Sequence, residues 1–403
     1  MKTRILALTA SICFVLLLVA LTLMPACAPG APAPKKLTIG CIVPITNFPP
    51  GNSWARGYQL FEDKLNEQGG LKIGADTYQV DVIVEDSKAS PETSTTSAKK
   101  LVYSDGATFV FGEIWENCAQ AIYDVTSKAP NKVLNVLMWI NIPGHPADVS
   151  PNKPLLVRFS PSLDDVDVAD YQWVFQNYPN AKTVVITGPA NYADIIKSSI
   201  PKIEKLGVKV LGVELWPVEY YQLAEFVPVS TKVVAYKPDI VHIWCTGMVG
   251  NQLKAIRDLG FKGPVIDDCP LGAEVIVRIA GEAATDMICN GVDAYHPTDL
   301  MAEVRDRWLA KYKGEEWVSD STMAWDNLWV LTQVMQKAKS VDPEKVAAAV
   351  ETMTTPGSLQ TTFGPSCIGG LERFGVNRVL VRPIPMVSIM NGQTKVLEYY
   401  LPK

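Results

Sequence analysis

Leu37-Thr-Ile-Gly-Cys-Ile-Val43, followed by Pro44-Ile-Thr-Asn-Phe-Pro-Pro-Gly-Asn52 and then Ser53-Trp-Ala-Arg-Gly-Tyr-Gln-Leu-Phe-Glu-Asp-Lys-Leu65, is the stretch that decides the fold. Its first seven residues form an apolar run, the mark of a strand buried on both faces. The Pro/Gly/Asn segment after it is a loop. Trp54, Tyr58, Phe61 and Leu65 then recur every three or four positions, which makes one apolar stripe on a helix. Gly69-Gly70 ends that helix.

The same unit repeats outward from this point. Tyr78 to Val84 alternates, with Val80, Val82 and Val84 on one face, and reads as a second strand. Ser90 and Pro91 open a helix to Tyr103, and Thr108–Gly112 is a third strand. A helix from about 117, a strand at Val133–Trp139 and a loop over 140–154 complete the first series. Beyond Arg158 the rhythm restarts. Helices over 164–178, 191–206, 222–236, 248–259 and 272–281 alternate with strands at Thr183–Thr187, Lys209–Leu215, Ile240–Trp244, Val265–Ile266 and Asp286–Val292. A helical block covers 299–352 and the tail from Arg378 is rich in β-formers. Strand–helix alternation gives parallel sheets with right-handed crossovers. Two series of similar size predict an α/β chain of two doubly wound lobes. Ligands of such sheets bind outside the carboxyl ends of the strands, here the loops after Val43, Phe111, Trp139, Thr187, Trp244 and Ile266.

The chain has 403 residues, 48% hydrophobic and 20% charged, an ordinary globular composition. Lys2 and Arg4 precede an apolar stretch from Ile5 to Met24, then Pro25-Ala26-Cys27. A basic start, an apolar core and a small residue before the break describe an export signal over 1–26. Cys27 stands where a bacterial lipoprotein carries its lipidated first residue. The alternative is an uncleaved anchor, because the apolar stretch nearly spans a bilayer. Residues 27–35 are a Pro-rich, extended tether. Both readings place the folded part outside the cytoplasm, in the periplasm or at the cell surface. Removing the first 26 residues takes the net charge from −5 to −7, and no basic face argues for nucleic acid.

Six cysteines fall in the folded part: Cys41, Cys118, Cys245, Cys269, Cys289 and Cys367. None has CxxC spacing, so neither a metal nor a redox motif is expected. Cys269 and Cys289 flank one helix and are the favoured disulfide pair; buried thiols are the alternative.

Leu37-Thr-Ile-Gly…Pro44, Ser53-Trp-Ala-Arg-Gly57, Leu65-Asn-Glu-Gln-Gly-Gly-Leu71, Val84-Glu-Asp-Ser87 and Asn251-Gln-Leu-Lys-Ala-Ile-Arg-Asp-Leu-Gly-Phe261 together resemble the leucine/isoleucine/valine-binding proteins. These are the branched-chain amino acid type of the type 1 periplasmic solute-binding proteins that serve ABC importers. The resemblance covers nearly all of 36–400. It implies two lobes joined by a three-strand hinge, with crossings near 156–160, 289–296 and 372–382. The first lobe would be 36–157 plus 295–373 and the second 160–290 plus 378–403. It also implies a permease as partner, no cofactor, and a membrane tether through lipid on Cys27.

By the same resemblance Trp54 covers the ligand from the first lobe and Tyr192 closes from the second. Asn117 and Cys118 stand where serine is usual, and Gly144, in the loop that also carries Asn141, lies near an expected threonine. Cys245-Thr246 replace an expected tyrosine, and Asp267 and Asp268 adjoin the position of the acid that meets an ammonium group. A free amino acid needs paired donors for its carboxylate and an anion for its ammonium. Asp267 or Asp268 could supply the anion; the donors would have to be backbone amides near 117–120. Trp54, Trp115 and Trp139 at strand-end loops suit a flat or apolar ligand. Each aromatic also has a bland reading as core packing, and Trp325 and Trp329 are read as core. Glu113 and Glu116 read as solvated or hinge-lining.

A branched-chain amino acid is thus the default solute, with an aromatic acid or amide beside it. There is no HExxH, GxSxG, GxGxxG or P-loop, and His145, His242 and His296 do not cluster. A sensing domain that acts through a partner is the second class. A hydrolase using Asp267 and His242 is the third.

Overall fold

The computed structural model describes residues 34–220, 222–244, 249–267, 273–290 and 296–402. The export segment, Cys27 and most of the tether lie outside the described residues, as do Cys245, Thr246, Asp268 and Cys269. Everything described from Lys35 onward belongs to one compact unit.

The chain opens with β1 (Lys35–Val43), α1 (Pro49–Glu67), β2 (Leu71–Ile73), β3 (Asp76–Asp86), α2 (Pro91–Lys99), β4 (Phe109–Phe111), α3 (Glu116–Thr126), β5 (Leu134–Leu137) and β6 (Leu156–Arg158). β1 is buried from Ile39 to Val43 because it lies between two parallel neighbours. It pairs with β3 from Lys35↔Tyr78 to Val43↔Asp86, and with β4 from Ile39↔Phe109 to Cys41↔Phe111. The Ser90 hydroxyl accepts the Thr93 N–H at the start of α2, with Pro91 in the first helical position, as the sequence predicts.

A second series follows: α4 (Leu163–Asn177), β7 (Thr183–Pro189), α5 (Ala193–Lys205), β8 (Lys209–Trp216), α6 (Leu223–Ala235), β9 (Ile240–Ile243), α7 (Val249–Asp258), β10 (Val265–Asp267), α8 (Ala273–Ala280) and β11 (Met287–Cys289). The chain then returns to the first lobe with α9 (Asp299–Lys311), α10 (Ser321–Ala338), α11 (Pro343–Thr352), β12 (Leu359–Thr361), β13 (Gly364–Gly369), the single turn α12 (Leu371–Phe374) and β14 (Val379–Val381). β15 (Ile384–Met390) and β16 (Gln393–Tyr400) end it in the second lobe.

Among the described residues the strands make two sheets. Their orders are β12-β13-β14-β6-β5-β4-β1-β3-β2 and β16-β15-β11-β10-β9-β7-β8. The central strands of both are parallel, and antiparallel strands close every edge except that at β8, which pairs parallel with β7. This is the two-lobed, parallel-dominated α/β architecture read from the sequence. The chain passes between sheets after Arg158, after Cys289 and after Val381. Two details differ from the expectation. Val379–Val381 pairs in the first sheet, although the sequence reading gave everything from 378 to the second lobe. β12 and β13 add strands within 295–373, where the sequence predicts only a helical block over 299–352.

The α1–α10 contact shows how the predicted stripe is used. Phe61 meets Trp325 edge-on, ring centroids 4.9 Å apart, and Tyr58 and Leu65 are buried beside them. Burial of each such ring contributes about 1.5–3 kcal/mol. Gly57 makes the approach possible: a Cβ there would stand 2.1 Å from the Ser321 carbonyl oxygen. No helix among the described residues is long and apolar enough to cross a membrane.

Candidate functional site

The carboxyl ends of β1, β4 and β5 carry one wall of a cleft, and those of β7 and β9 the other. Phe48, in the loop after β1, lies against Trp54 (centroids 5.5 Å, 40° tilt) and edge-on to Trp115 (6.0 Å, 77°). Trp115 in turn meets Tyr192 of the second lobe (5.5 Å, 41°). Tyr192 is presented by the tight turn Ala190–Tyr192 between β7 and α5. A path of rings therefore crosses from one lobe to the other. Trp139, just past β5, packs against both cores, as does Trp115.

The loop that carries Trp115 has irregular backbone, and buried N–H groups there need acceptors. Glu113 supplies them. One carboxylate oxygen accepts the Ser87 hydroxyl, and the other accepts Ile114 N–H (2.6 Å) and Trp115 N–H (3.3 Å). Burial raises the Glu113 pKa, and these hydrogen bonds oppose the rise. Glu116 does the same for the next loop, accepting both Asn141 and Ile142 N–H at 2.8 Å. The Asn141 amide donates back to the Ile114 carbonyl (2.7 Å). Both glutamates are buried fasteners of the wall, so of the two expectations, solvated or hinge-lining, the first does not hold.

The predicted contacts separate into distinct places. Trp115 and Tyr192 are brought together. Trp54 is only 1% exposed and stands behind Phe48, a residue the sequence reading passed over. Asn117 is exposed on the first turn of α3, its side-chain oxygen accepting Cys118 N–H (2.9 Å). Cys118 is buried toward Ser94 of α2, where desolvation pushes its thiol up to about 12, with the Glu113 charge adding. The same first turn carries the Glu116 carboxylate, which makes this helix end a poor receiver for a second anion.

On the second wall, Asp267 is the last residue of β10 and is fully buried. His242 is buried in β9, with the Tyr171 hydroxyl 3.0 Å from Nδ1 and the Trp244 ring stacked at 5.6 Å. In the β9–β10 register His242 faces Ile266, whereas Asp267 faces Ile243. Side chains alternate along a strand, so His242 and Asp267 lie on opposite faces of the sheet. The hydrolase dyad is therefore not assembled. Thr246 and Asp268 lie outside the described residues. Cys41, Cys118 and Cys367 are free thiols, and the predicted partner of Cys289 is not described. No group of three or more His, Cys, Asp or Glu among the described residues converges on a metal position.

At the root of the cleft, where the three crossings meet, Trp139, Pro161, Asn290, Met323, Arg382 and Ile384 line a small pocket together with Asp320 and Phe363. The Arg382 guanidinium lies 3.7 Å from the Phe363 ring centroid. Burial pushes its pKa down to about 10, partly offset by Asp326. Asp326 is itself buried and raised to about 7 by desolvation, although Thr362 donates to both its oxygens (2.9 and 2.8 Å). The sequence reading missed this pocket. Arg382-Pro383 in a β-rich tail resembles surface, and its burial comes from residues nearly twenty or more positions away.

The family model described as periplasmic binding protein matches residues 36–393. The leucine-, isoleucine-, valine-, threonine- and alanine-binding protein of Pseudomonas aeruginosa is 24% identical over 77% of this chain and 80% of its own length. The branched-chain amino acid transporter substrate-binding protein of Streptococcus pneumoniae, solved with isoleucine, superposes with a TM-score of 0.70 at 19% identity, over 91% of this chain and 100% of that one. An ABC-transporter solute-binding protein of R. palustris, solved with benzoate, gives 0.71 at 16% identity, over 91% and 97%. At such identities the solved structures establish the fold.

Proposed function

Since the chain belongs to the periplasmic binding protein family, we propose that it is the extracytoplasmic solute-binding component of an ABC importer. It traps a small organic solute between its lobes and does no chemistry on it. The observation that carries this is the ring path Phe48–Trp115–Tyr192, which bridges the two walls at the strand ends. Aromatic walls bury a flat or apolar body. Closure is favoured only by interactions that the shut form alone makes, and the meeting of Trp115 with Tyr192 is one of them. The relatives' ligands, aliphatic amino acids and benzoate, are the two solute classes to try first.

A thermal-shift screen of the folded protein against aliphatic amino acids, aromatic acids and their amides tests this. One class should raise Tm with concentration, since a ligand at about 100 times its Kd adds about 2.7 kcal/mol of stability. No shift from any class would refute it, and appearance of a product in the incubated mixture would make the protein an enzyme. The proposed tether is lipid on Cys27, which holds the protein at the membrane surface. Cys27→Ala should release it from membranes, and retention would favour an uncleaved anchor.

A further inference from the structure

We propose that Arg382 selects the solute: its guanidinium receives the carboxylate of an acid whose apolar body lies against the aromatic wall. This rests on the solute-binding reading above and adds the class of solute.

Three arginines lie where the chain crosses between lobes, and two of them show what a structural arginine looks like here. Arg158 bonds Asp148 (2.7 Å) and Ser162 (2.8 Å). Arg378 bonds Glu351 (2.6 Å) and the carbonyls of Ser150 (3.3 Å) and Lys153 (2.7 Å). Arg382 differs. It commits one Nη1 donor to the Pro383 carbonyl (2.9 Å) and stacks one face on Phe363. Among the described residues no carboxylate comes within ion-pair distance of it. Asp326, which attracts it, is already held by Thr362 through both oxygens.

A guanidinium has five N–H donors in a rigid fork that matches a carboxylate. Arg382 is half-buried, and the donors it leaves unpaired line the pocket, where an anion can pair them. The enclosed space beside Arg382 is about 30 Å³, room for water or a carboxylate head and not for a whole solute. The body then lies against Trp139, the aromatic residue of the first-lobe wall that lines this pocket, and against Met323 and Ile384 beside it. The backbone amides near 117–120 that were expected to grip a carboxylate do not compete, because Cys118 N–H is taken by the Asn117 side-chain oxygen, Ala119 N–H by the Trp115 carbonyl, and Glu116 stands in the same turn.

The test uses matched probes on the full protein: benzoate against benzamide, and L-leucine against L-leucinamide. Calorimetry should show at least one acid binding about tenfold or more tighter than its amide. Arg382→Gln should close that gap by weakening the acid alone, and Arg382→Lys should restore part of it. The comparison on the unaltered protein stands even where Arg382→Gln folds poorly. Amides that bind as tightly as acids, or an acid preference that survives in Arg382→Gln, would overturn the proposal. A solute without a carboxylate as the sole hit would also overturn it and leave solute binding intact. If no solute of any class binds, the broader reading fails as well. Which acid binds, benzoate or leucine, separates the two sources of the carboxylate.

Discussion

The two walls of the cleft are held in shape by different means. The first-lobe wall is made of irregular loops after β4 and β5, and buried carboxylates pin their backbone: Glu113 to Ile114 and Trp115, Glu116 to Asn141 and Ile142. The second-lobe wall presents Tyr192 and Trp244 from the ends of regular elements, braced by ring contacts such as His242 on Trp244. A strand end brings its own paired backbone, whereas a loop that leaves water must find acceptors elsewhere. The first wall should therefore answer to changes of charge, and the second to changes of ring volume.

The largest break in that comparison is at Asp148, where the first wall meets the crossing. Arg158 and Asp148 are both wholly buried and 2.7 Å apart. Burial lowers the Arg158 pKa and Asp148 counters it. Asp148→Ala leaves a buried cation unpaired and should cost about 3–5 kcal/mol in urea unfolding. Asp164→Ala, which removes the partly exposed pair with Lys202 in the second lobe, should cost less than about 1 kcal/mol. Equal costs would mean that the polar scaffold is not peculiar to the first wall.

A middle-sized effect sharpens the comparison at the contact itself. Trp115→Ala removes rings from both Phe48 and Tyr192, and should weaken solute binding by about 1–3 kcal/mol with a modest change in Tm. Trp54→Ala should do the reverse, lowering Tm and leaving affinity nearly untouched, because Trp54 stands inside the first-lobe core. Titration of both variants with the solute found by screening decides between them. If Trp54→Ala alone loses affinity, the ring nearest the core is the one the solute touches.

That last contrast also marks how far the sequence could be read. Strand–helix alternation set out both lobes, because period and turn residues are local signals. Residues 37–65 folded as read, apart from the helix starting earlier, at Pro49-Pro50. Trp115 and Tyr192 could be placed on opposite walls from strand ends and resemblance. What escaped was everything decided by a distant partner. Glu113 in a loop and Glu116 at a helix start are charged residues, which normally means solvent, and only the fold shows the N–H groups they serve. The β12–β13 hairpin is too short to announce itself. Arg382 is recognisable only once Phe363 and α10 are beside it.

The smallest expected effect concerns contacts that join the lobes. Arg373 of α12 pairs with Asp165 of α4 across the lobes, close in sequence to two of the crossings. Arg278 of α8 pairs with Glu316, just before α10, with side chains 59% and 63% exposed. The second pair is the more exposed of the two, so salt should act on it more strongly. An exposed ion pair contributes less than about 1 kcal/mol and is screened by salt. Raising NaCl from about 50 to 500 mM should therefore weaken solute binding by no more than about fivefold. Arg278→Ala should remove most of that dependence, and Arg373→Ala should leave it in place. If Arg278→Ala keeps the full salt response, the Arg278–Glu316 pair does not contribute to closure, and the balance between open and shut forms rests on the buried rings alone.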